Sequence, residues 1–562
     1  MGKSARSWFS GVWHDATLKI NIEEAHGAGG DKLMRQMGLF SVILFTITSA
    51  VGSGILTTPG IIARDYAGPN AWLSFVQAGL ICFCPALCLA YMASRTSKSG
   101  STGSYACLVL GQLPGLLMFC DVMMECIGGT AAVAVSQADH IKMITRLIGK
   151  EWFNQDWKLN EFLTTTPKDV DWKTLYIAIT SGAGCALIYR FSGGLLEKVR
   201  KTSVFKRLPW MLQAVPAGLS ISAFSITGVA AIAHLLWFVY ELPSINLLSA
   251  GVVGIITVIL LRGVKETAAW TNFLTVTKLV VLSVIIFFFA RHFDPANLAI
   301  PVPTTLPGSL AGASVAFFAF VGLDLATTTA GEVKNAKRNV PLGMLIGLAC
   351  VTLLYFVAAY TYAGAVPFTK IPAHTDGEAA PMVKGLELLG YKSAAIWVGI
   401  GSTMALISVV LASAYATTRL LFNMAQHGLM PSAFEKVSEK RQVPVLATLV
   451  VGGGIATLTA LMAVGELMHL TNIGTMTAFI TISLTVLVLT VKETAWKTRN
   501  GALKGAFWLV VATLGIIGPA RLMLELPWEA FARLVAVWTL VVILFVTYSR
   551  HHSLARKQAR PE

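Results

Sequence analysis

The chain has 562 residues, of which 55% are hydrophobic and only 13% charged. A soluble domain carries roughly 25% charged residues, so this composition cannot cover a water-facing surface and excludes a soluble globular protein. The net charge of +15, from 44 basic against 29 acidic side chains, fits basic loops on one side of a membrane; no nucleic-acid-binding motif accompanies it, which excludes an RNA- or DNA-binding role.

Residues 1–35 read as a polar cytoplasmic arm with no signal peptide. Residues 36–550 read as one transmembrane domain, and 551–562 as a cytoplasmic tail. A helix needs ~20 apolar residues to cross the hydrocarbon core. Such runs begin near Leu39–Ile62, Ala71–Ala93 and Leu113–Val135. His140–Trp172 is more polar, and Trp152, Trp157 and Trp172 mark it as an outer interfacial segment. Two runs follow, near Leu175–Phe191 and Leu212–Tyr240, around a basic loop with Lys198, Arg200, Lys201, Lys206 and Arg207. The remaining runs lie near Leu247–Leu261, Phe273–Ala290, Leu310–Thr328, Leu342–Val366, Ala394–Leu421, Val445–Met462, Met468–Leu489, Ala506–Leu522 and Ala532–Tyr548. About fourteen crossings are predicted. Basic clusters such as Arg95 and Lys98, or Lys334, Lys337 and Arg338, fall on every second loop. That pattern places both termini in the cytoplasm of a multi-pass protein of the plasma or inner membrane.

Two runs carry glycine interruptions. The first holds Gly52-Ser53-Gly54 with Pro59-Gly60 a turn later; the other holds Gly312 and then Phe320-Val321-Gly322-Leu323-Asp324. Glycine costs a helix about 1 kcal/mol against alanine, and backbone freed at membrane depth survives only where it lines a cavity or finds partners. One such glycine serves close helix packing. A pair in corresponding halves points to a transporter binding site. The cysteines Cys82, Cys84 and Cys88 lack zinc-ligand spacing, the ten histidines show no ligand pattern, and HExxH, GxSxG and Walker motifs do not occur. No metal, cofactor or enzymatic activity is therefore expected.

Several motifs resemble one family in order along the chain. Met37-Gly38-Leu39-Phe40 leading to Gly52-Ser53-Gly54-Ile55-Leu56, Ala67-Gly68-Pro69, Asp121 through Glu125 to Gly128, and Gly263-Val264-Lys265-Glu266-Thr267 are four of them. Phe317-Phe318-Ala319-Phe320-Val321-Gly322-Leu323-Asp324 through Glu332-Val333-Lys334-Asn335, and Arg419-Leu420-Leu421-Phe422 through Gly428-Leu429-Met430-Pro431, are two more. Together they resemble the amino acid–polyamine–organocation transporters, in the branch similar to cationic amino acid transporters. The resemblance implies an all-α polytopic protein with a five-plus-five inverted-repeat (LeuT-like) core and two further helices. It also implies amino acid transport by alternating access. The family pattern departs at Met92, Gly331 and Gln426-His427, and residues 140–240 have no counterpart in it, so an inserted helical hairpin is expected there.

An unwound glycine stretch offers bare N–H groups, and the half-helix that follows offers the positive end of its dipole. Gly52, Ser53, Gly54 and Ile55 are thus expected to bind the substrate carboxylate, and carbonyls near Phe318, Ala319 and Val321 the ammonium. Intramembrane carboxylates are functional candidates by default. Glu125 and Asp324 are assigned to substrate handling; Asp121, on the same helix face as Glu125, serves either substrate or a neighbouring helix. Lys278 sits two turns into its span, ~9 Å from the interface at 1.5 Å per residue, which suits a snorkelling lysine. The resemblance implies a different role, because proton-coupled members carry a lysine here. Lys278, with Ser408, is therefore the expected proton-coupling group. Proton-coupled amino acid symport is the leading expectation; an amino acid or polyamine exchanger and a non-transporting nutrient sensor are the alternatives. The sequence leaves oligomeric state open.

Overall fold

The structure, a computed structural model, describes residues 15–18, 37–95, 102–155, 157, 159, 245–262, 267–299, 306–323, 327, 333–371, 380–438, 441, 443–493, 499–553 and 556. The expected hairpin with its basic loop, and Asp324, lie outside the described residues.

The described chain is helical, and among the described residues no strand is formed. The first span is broken in two: α1 (Leu39–Ala50) and α2 (Ser53–Asp65) meet at a 47° bend. Next come α3 (Ala71–Arg95), the short α4 (Thr102–Val109) and the long α5 (Gln112–Trp152). Beyond the undescribed stretch lie α6 (Leu247–Arg262), α7 (Thr267–Arg291) and α8 (Leu306–Ala316), the last continued by a 3-10 turn over Phe317–Phe320. Then follow α9 (Ala336–Ala365), the short α10 (Pro381–Leu388), α11 (Lys392–Gln426), α12 (Val445–Leu461), α13 (Val464–Glu493), α14 (Arg499–Met523) and α15 (Trp528–Leu544).

The third span does not end near Val135. Its helix runs on to Trp152, and His140, read above as the start of an interfacial segment, is buried within it, as is Asp139. Asp139 pairs with Lys142 at 2.6 Å; His140 Nδ1 lies 2.8 Å from the Ser136 carbonyl, while its Nε2 has no hydrogen-bond partner.

The helix packing has an internal two-fold. Exchanging α1/α2 with α8, α3 with α9, α5 with α11, α6 with α12 and α7 with α13 maps the contacts onto one another. Thus α1 packs on α9 as α8 packs on α3, and α5 packs on α13 as α11 packs on α7. Counterparts run antiparallel. Glu151 at the end of α5 pairs with Lys392 at the start of α11 at 2.6 Å, and Asn246 before α6 bonds Ala460 near the end of α12. This is a five-plus-five inverted repeat, with α14 and α15 added outside it.

The outer surface carries the apolar residues. On α14, Leu503, Phe507, Val510, Leu514 and Ile517 are exposed at alternating spacings of four and three residues, a lipid-facing stripe. A soluble helix would turn that stripe inward. The buried interior is largely apolar too, but it also gathers small and polar residues, including Thr46, Ser53, Ser74, Ser402 and Asn472, as interfaces between helices packed in lipid do.

The arm before α1 meets the segment after α15. The Asp15 carboxylate lies 3.2 Å from Arg550 and 3.8 Å from Arg556, and the Leu18 carbonyl accepts from the Gln112 amide at the start of α5. Gly111, at φ +113°, lets this segment lie against the chain: a Cβ there would stand 2.8 Å from the Ala16 carbonyl oxygen.

Candidate functional site

Both breaks lie in the centre of the packed helices and touch one another. Helix α1 ends at Ala50, Val51 is extended, and α2 restarts at Ser53 with Gly52 at its N-cap. A Cβ on Gly54 would come within 2.5 Å of Ala319 Cα and 2.7 Å of its Cβ. The absent side chain therefore lets the two broken spans meet backbone to backbone. At Gly52 there is more room, with the nearest atom, a Val409 methyl on α11, at 3.5 Å.

The polar groups freed at α1 are claimed by side chains. In an unbroken helix the Thr48 carbonyl would accept from the amide of Gly52. Here it accepts from Lys278 Nζ on α7. The amine thus sits at the negative end of α1, where a cation is favoured. The Ala50 carbonyl accepts from Tyr355 on α9 at 2.8 Å, and the same hydroxyl lies 2.9 Å from the Ala319 carbonyl. A phenol has one proton to donate, so Tyr355 shares it between the two breaks and ties them together.

The other end of the first break is open. No side chain caps the N-terminus of α2, although Ser53 through Ala63 are all buried. The Ser53 hydroxyl, on a residue 1% exposed, has no hydrogen-bond partner. A helix start leaves four N–H groups without intrahelical acceptors. Gly52, Ser53, Gly54 and Ile55 are thus brought together around an unfilled set of donors.

The second break is arranged in the opposite sense. The 3-10 turn over Phe317–Phe320 ends at Val321, whose amide bonds the Phe318 carbonyl at 3.4 Å, and Gly322 turns the chain at φ +92°. Its amide donates to Glu125 Oε1 at 3.3 Å. Glu125, buried on α5, therefore supports the backbone of the break. Asp121, a turn earlier, accepts from the Trp538 indole of α15 at 2.7 Å; it joins an outer helix to the core. The Ser408 hydroxyl donates to Ala405 on its own helix at 2.6 Å, and Lys278 is held by α1 instead.

Beside the first break is a small cavity of about 10 Å³, room for about one water, lined by Val51, Gly52, Ile55, Leu56, Lys278, Val281, Leu282, Ala405, Leu406 and Val409. Ser408 is not among these residues, although Val409 beside it is. Sequence reasoning missed Tyr355 and Asn472, whose amide donates to the Ser314 carbonyl of α8 at 2.6 Å. The available signal was a hydrogen-bonding side chain inside an apolar run.

A polytopic helical protein with paired broken spans at the centre of an inverted repeat is a secondary transporter by architecture. The family comparison specifies it: the amino acid permease model matches residues 37–551, and the chain belongs to that family, within the amino acid–polyamine–organocation superfamily. It is 28% identical to the methylthioribose transporter of Bacillus subtilis (strain 168), over 93% of this chain and 95% of the relative. It is also 28% identical to the branched-chain amino acid permease BcaP of the same organism, over 94% and 95%. Identity to cationic amino acid transporter 9, chloroplastic, of Arabidopsis thaliana is 26%, over 87% and 74%. The chain is thus a multi-pass membrane transporter of amino acids, not an enzyme.

Proposed function

We propose that the protein is a proton-coupled amino acid symporter of the cell membrane, with both termini cytoplasmic. The uncapped, fully buried N-terminus of α2 carries this reading. Its amides at Gly52, Ser53, Gly54 and Ile55, with the Ser53 hydroxyl, form a receptor for a carboxylate, favoured by the helix dipole. The substrate ammonium is placed across the interface at the carbonyls of Phe318, Ala319 and Val321; each carbonyl has two lone pairs and can take a second donor. Asp324 is retained as a supporting carboxylate. Glu125 acts through Gly322, fixing the second break against which the ammonium rests.

Lys278 is the proposed coupling group. Its amine bonds the carbonyl that the first break frees, so protonation strengthens the cap on α1 and loss of the proton weakens it. Movement of α1 relative to α7 then links the proton to alternating access. Ser408, one residue from the cavity wall, adds a hydroxyl within reach of a rearranged amine.

The test is uptake into proteoliposomes from a panel of labelled amino acids, with and without an inward proton gradient. The wild type is expected to concentrate substrate only with the gradient. Lys278→Gln keeps a hydrogen-bond donor but cannot titrate, and is expected to bind substrate while losing gradient-driven accumulation. Wild-type accumulation and pH profile in this variant would move the coupling group elsewhere, with Glu125 the next to test.

A further inference from the structure

We propose that Arg550 and Arg556, at the end of the last membrane span, bind the phosphate of an anionic lipid headgroup, and that the Asp15 carboxylate of the arm before α1 competes with that phosphate for the same place. The site lies at the rim of the protein and is independent of the transport reading above.

The position along the span is that of a headgroup. Helix α15 shows Val535, Leu540 and Val542 to the outside. It continues through a π turn over Phe545–Ser549 into a last helical turn, Arg550–His552. The apolar surface stops there: His551 and His552 are exposed, and Tyr548 stacks on His552 with ring centroids 4.2 Å apart. A tyrosine at the end of a span marks the level of the membrane interface. Basic residues immediately beyond a span meet the anionic lipids of the adjoining leaflet, and Lys557 and Arg560 follow in the sequence.

The two arginines are held in place. Ser549 donates to the Leu429 carbonyl at 2.7 Å, and Gly428, at φ +68°, lets the His552 carbonyl come so close that a Cβ would have no room. Arg556 reaches back to the Arg550 carbonyl at 2.9 Å, and its guanidinium lies 3.3 Å from His551 Nδ1. Both guanidiniums therefore point to one spot, where the Asp15 carboxylate lies 3.2 Å from Arg550 and 3.8 Å from Arg556. The side chains of Arg550, Arg556 and Asp15 keep 13%, 27% and 16% of their surface exposed, so the spot is sheltered yet reachable from outside.

The charges do not balance. Two guanidiniums meet one carboxylate, the one acid that the described residues bring to them. The Nε of Arg550 is buried and makes no hydrogen bond, although a guanidinium carries five donors in a fixed fork. That fork matches the oxygens of a phosphate, and paired hydrogen bonds of this kind are the strong ones. A lipid phosphodiester carries one negative charge, as Asp15 does. Exchanging one for the other leaves the charge of the site unchanged, so the two occupants compete on geometry and local concentration. Exchange also removes the ion pair that pins the arm, leaving its contacts with Gln112 and Gly111.

Titration of phosphatidylglycerol into the purified full-length protein in detergent, with bound lipid read by native mass spectrometry, tests this. The wild type is expected to prefer phosphatidylglycerol over phosphatidylcholine. Asp15→Asn removes the competing charge and is expected to raise the affinity for phosphatidylglycerol at least tenfold. Arg550→Gln with Arg556→Gln is expected to lower it at least tenfold; Arg556→Gln alone, should the double variant not fold, is expected to lower it severalfold. A clasp that only fastens the arm would make the acid and arginine variants behave alike, whereas competition moves them in opposite directions. Unchanged affinity in Asp15→Asn, or in a folded arginine variant, would overturn the proposal. Equal binding of phosphatidylcholine would overturn it too, since contact with the acyl chains would then suffice. So would displacement of phosphatidylglycerol by inorganic phosphate at the same concentration, because the site would then take a soluble anion.

Discussion

The two broken spans look alike in sequence, but their caps are opposite. At the first, the carbonyl end of α1 is closed by Lys278 and Tyr355 while the amide end of α2 is open. At the second, the amide of Gly322 is closed by the Glu125 carboxylate, and the Ala319 carbonyl accepts from Tyr355. An amine closes one break and an acid the other. The backbone groups they close are therefore of opposite sign: an acceptor at the first, a donor at the second. In the zwitterion receptor proposed above, the polarity is set by two buried side chains contributed by helices that are themselves unbroken.

The largest expected effect comes from forcing the breaks apart. Gly54→Val places atoms where Ala319 already stands, and even Gly54→Ala needs the two backbones to shift. Overpacking of this kind costs about 1–3 kcal/mol, and it falls on the site itself. Gly54→Ala is expected to abolish uptake and lower the melting temperature, whereas Gly52→Ala, with 3.5 Å to its nearest neighbour, is expected to fold normally and only weaken binding. Equal behaviour of the two glycine variants in a thermal-shift assay would end the distinction between them.

Next in size is the tie between the breaks. Tyr355→Phe removes one hydroxyl and leaves two buried carbonyls short of a donor, a loss of about 1–3 kcal/mol. Uptake is expected to fall about tenfold with the variant still inserted in the membrane; an unchanged transport rate would show that the breaks hold together without it. Smaller again is Trp538→Phe, which deprives Asp121 of its indole donor. A stability loss of about 1–3 kcal/mol is expected, with substrate affinity unchanged, because Asp121 serves α15 and not the site. A large change in affinity would return Asp121 to the list of substrate groups. The smallest effect is expected from Arg95→Ala. Its partner Glu493 and Arg95 itself are 49% and 43% exposed, and such pairs contribute at most about 1 kcal/mol, screened by salt.

The membrane character, the order of spans and the positions of both breaks were legible because each is a local property of the chain: a long apolar run, a glycine inside it, a charge beside it. The site was legible in part. Gly52, Ser53, Gly54 and Ile55 declare themselves by the interruption, and Lys278 by its charge in an apolar span. The partner of that charge could not be read, because Thr48 and Lys278 are far apart in the chain and nothing in either segment encodes their distance. Tyr355 is silent for the same reason: its role exists only where two breaks converge on one hydroxyl. The long α5 differs from the reading at His140 because polarity in a sequence suggests an interface, while in the packed protein the ring is buried inside the helix with Nδ1 against the Ser136 carbonyl.

The clasp between the arm before α1 and the segment after α15 bears on biosynthesis. Asp15 precedes α1 in the chain, and Arg550 and Arg556 follow α15. The seat for the arm at Gly111 is made before α5, but the charge that pins it arrives only once α15 has been translated. Closing so long a loop adds little to its cost beyond that of a moderately long one, since the entropy grows only with the logarithm of length. The contact therefore works as a marker for α15: a chain that stops short of Arg550 leaves Asp15 without its arginines, and the arm is fastened only after the helices between them exist.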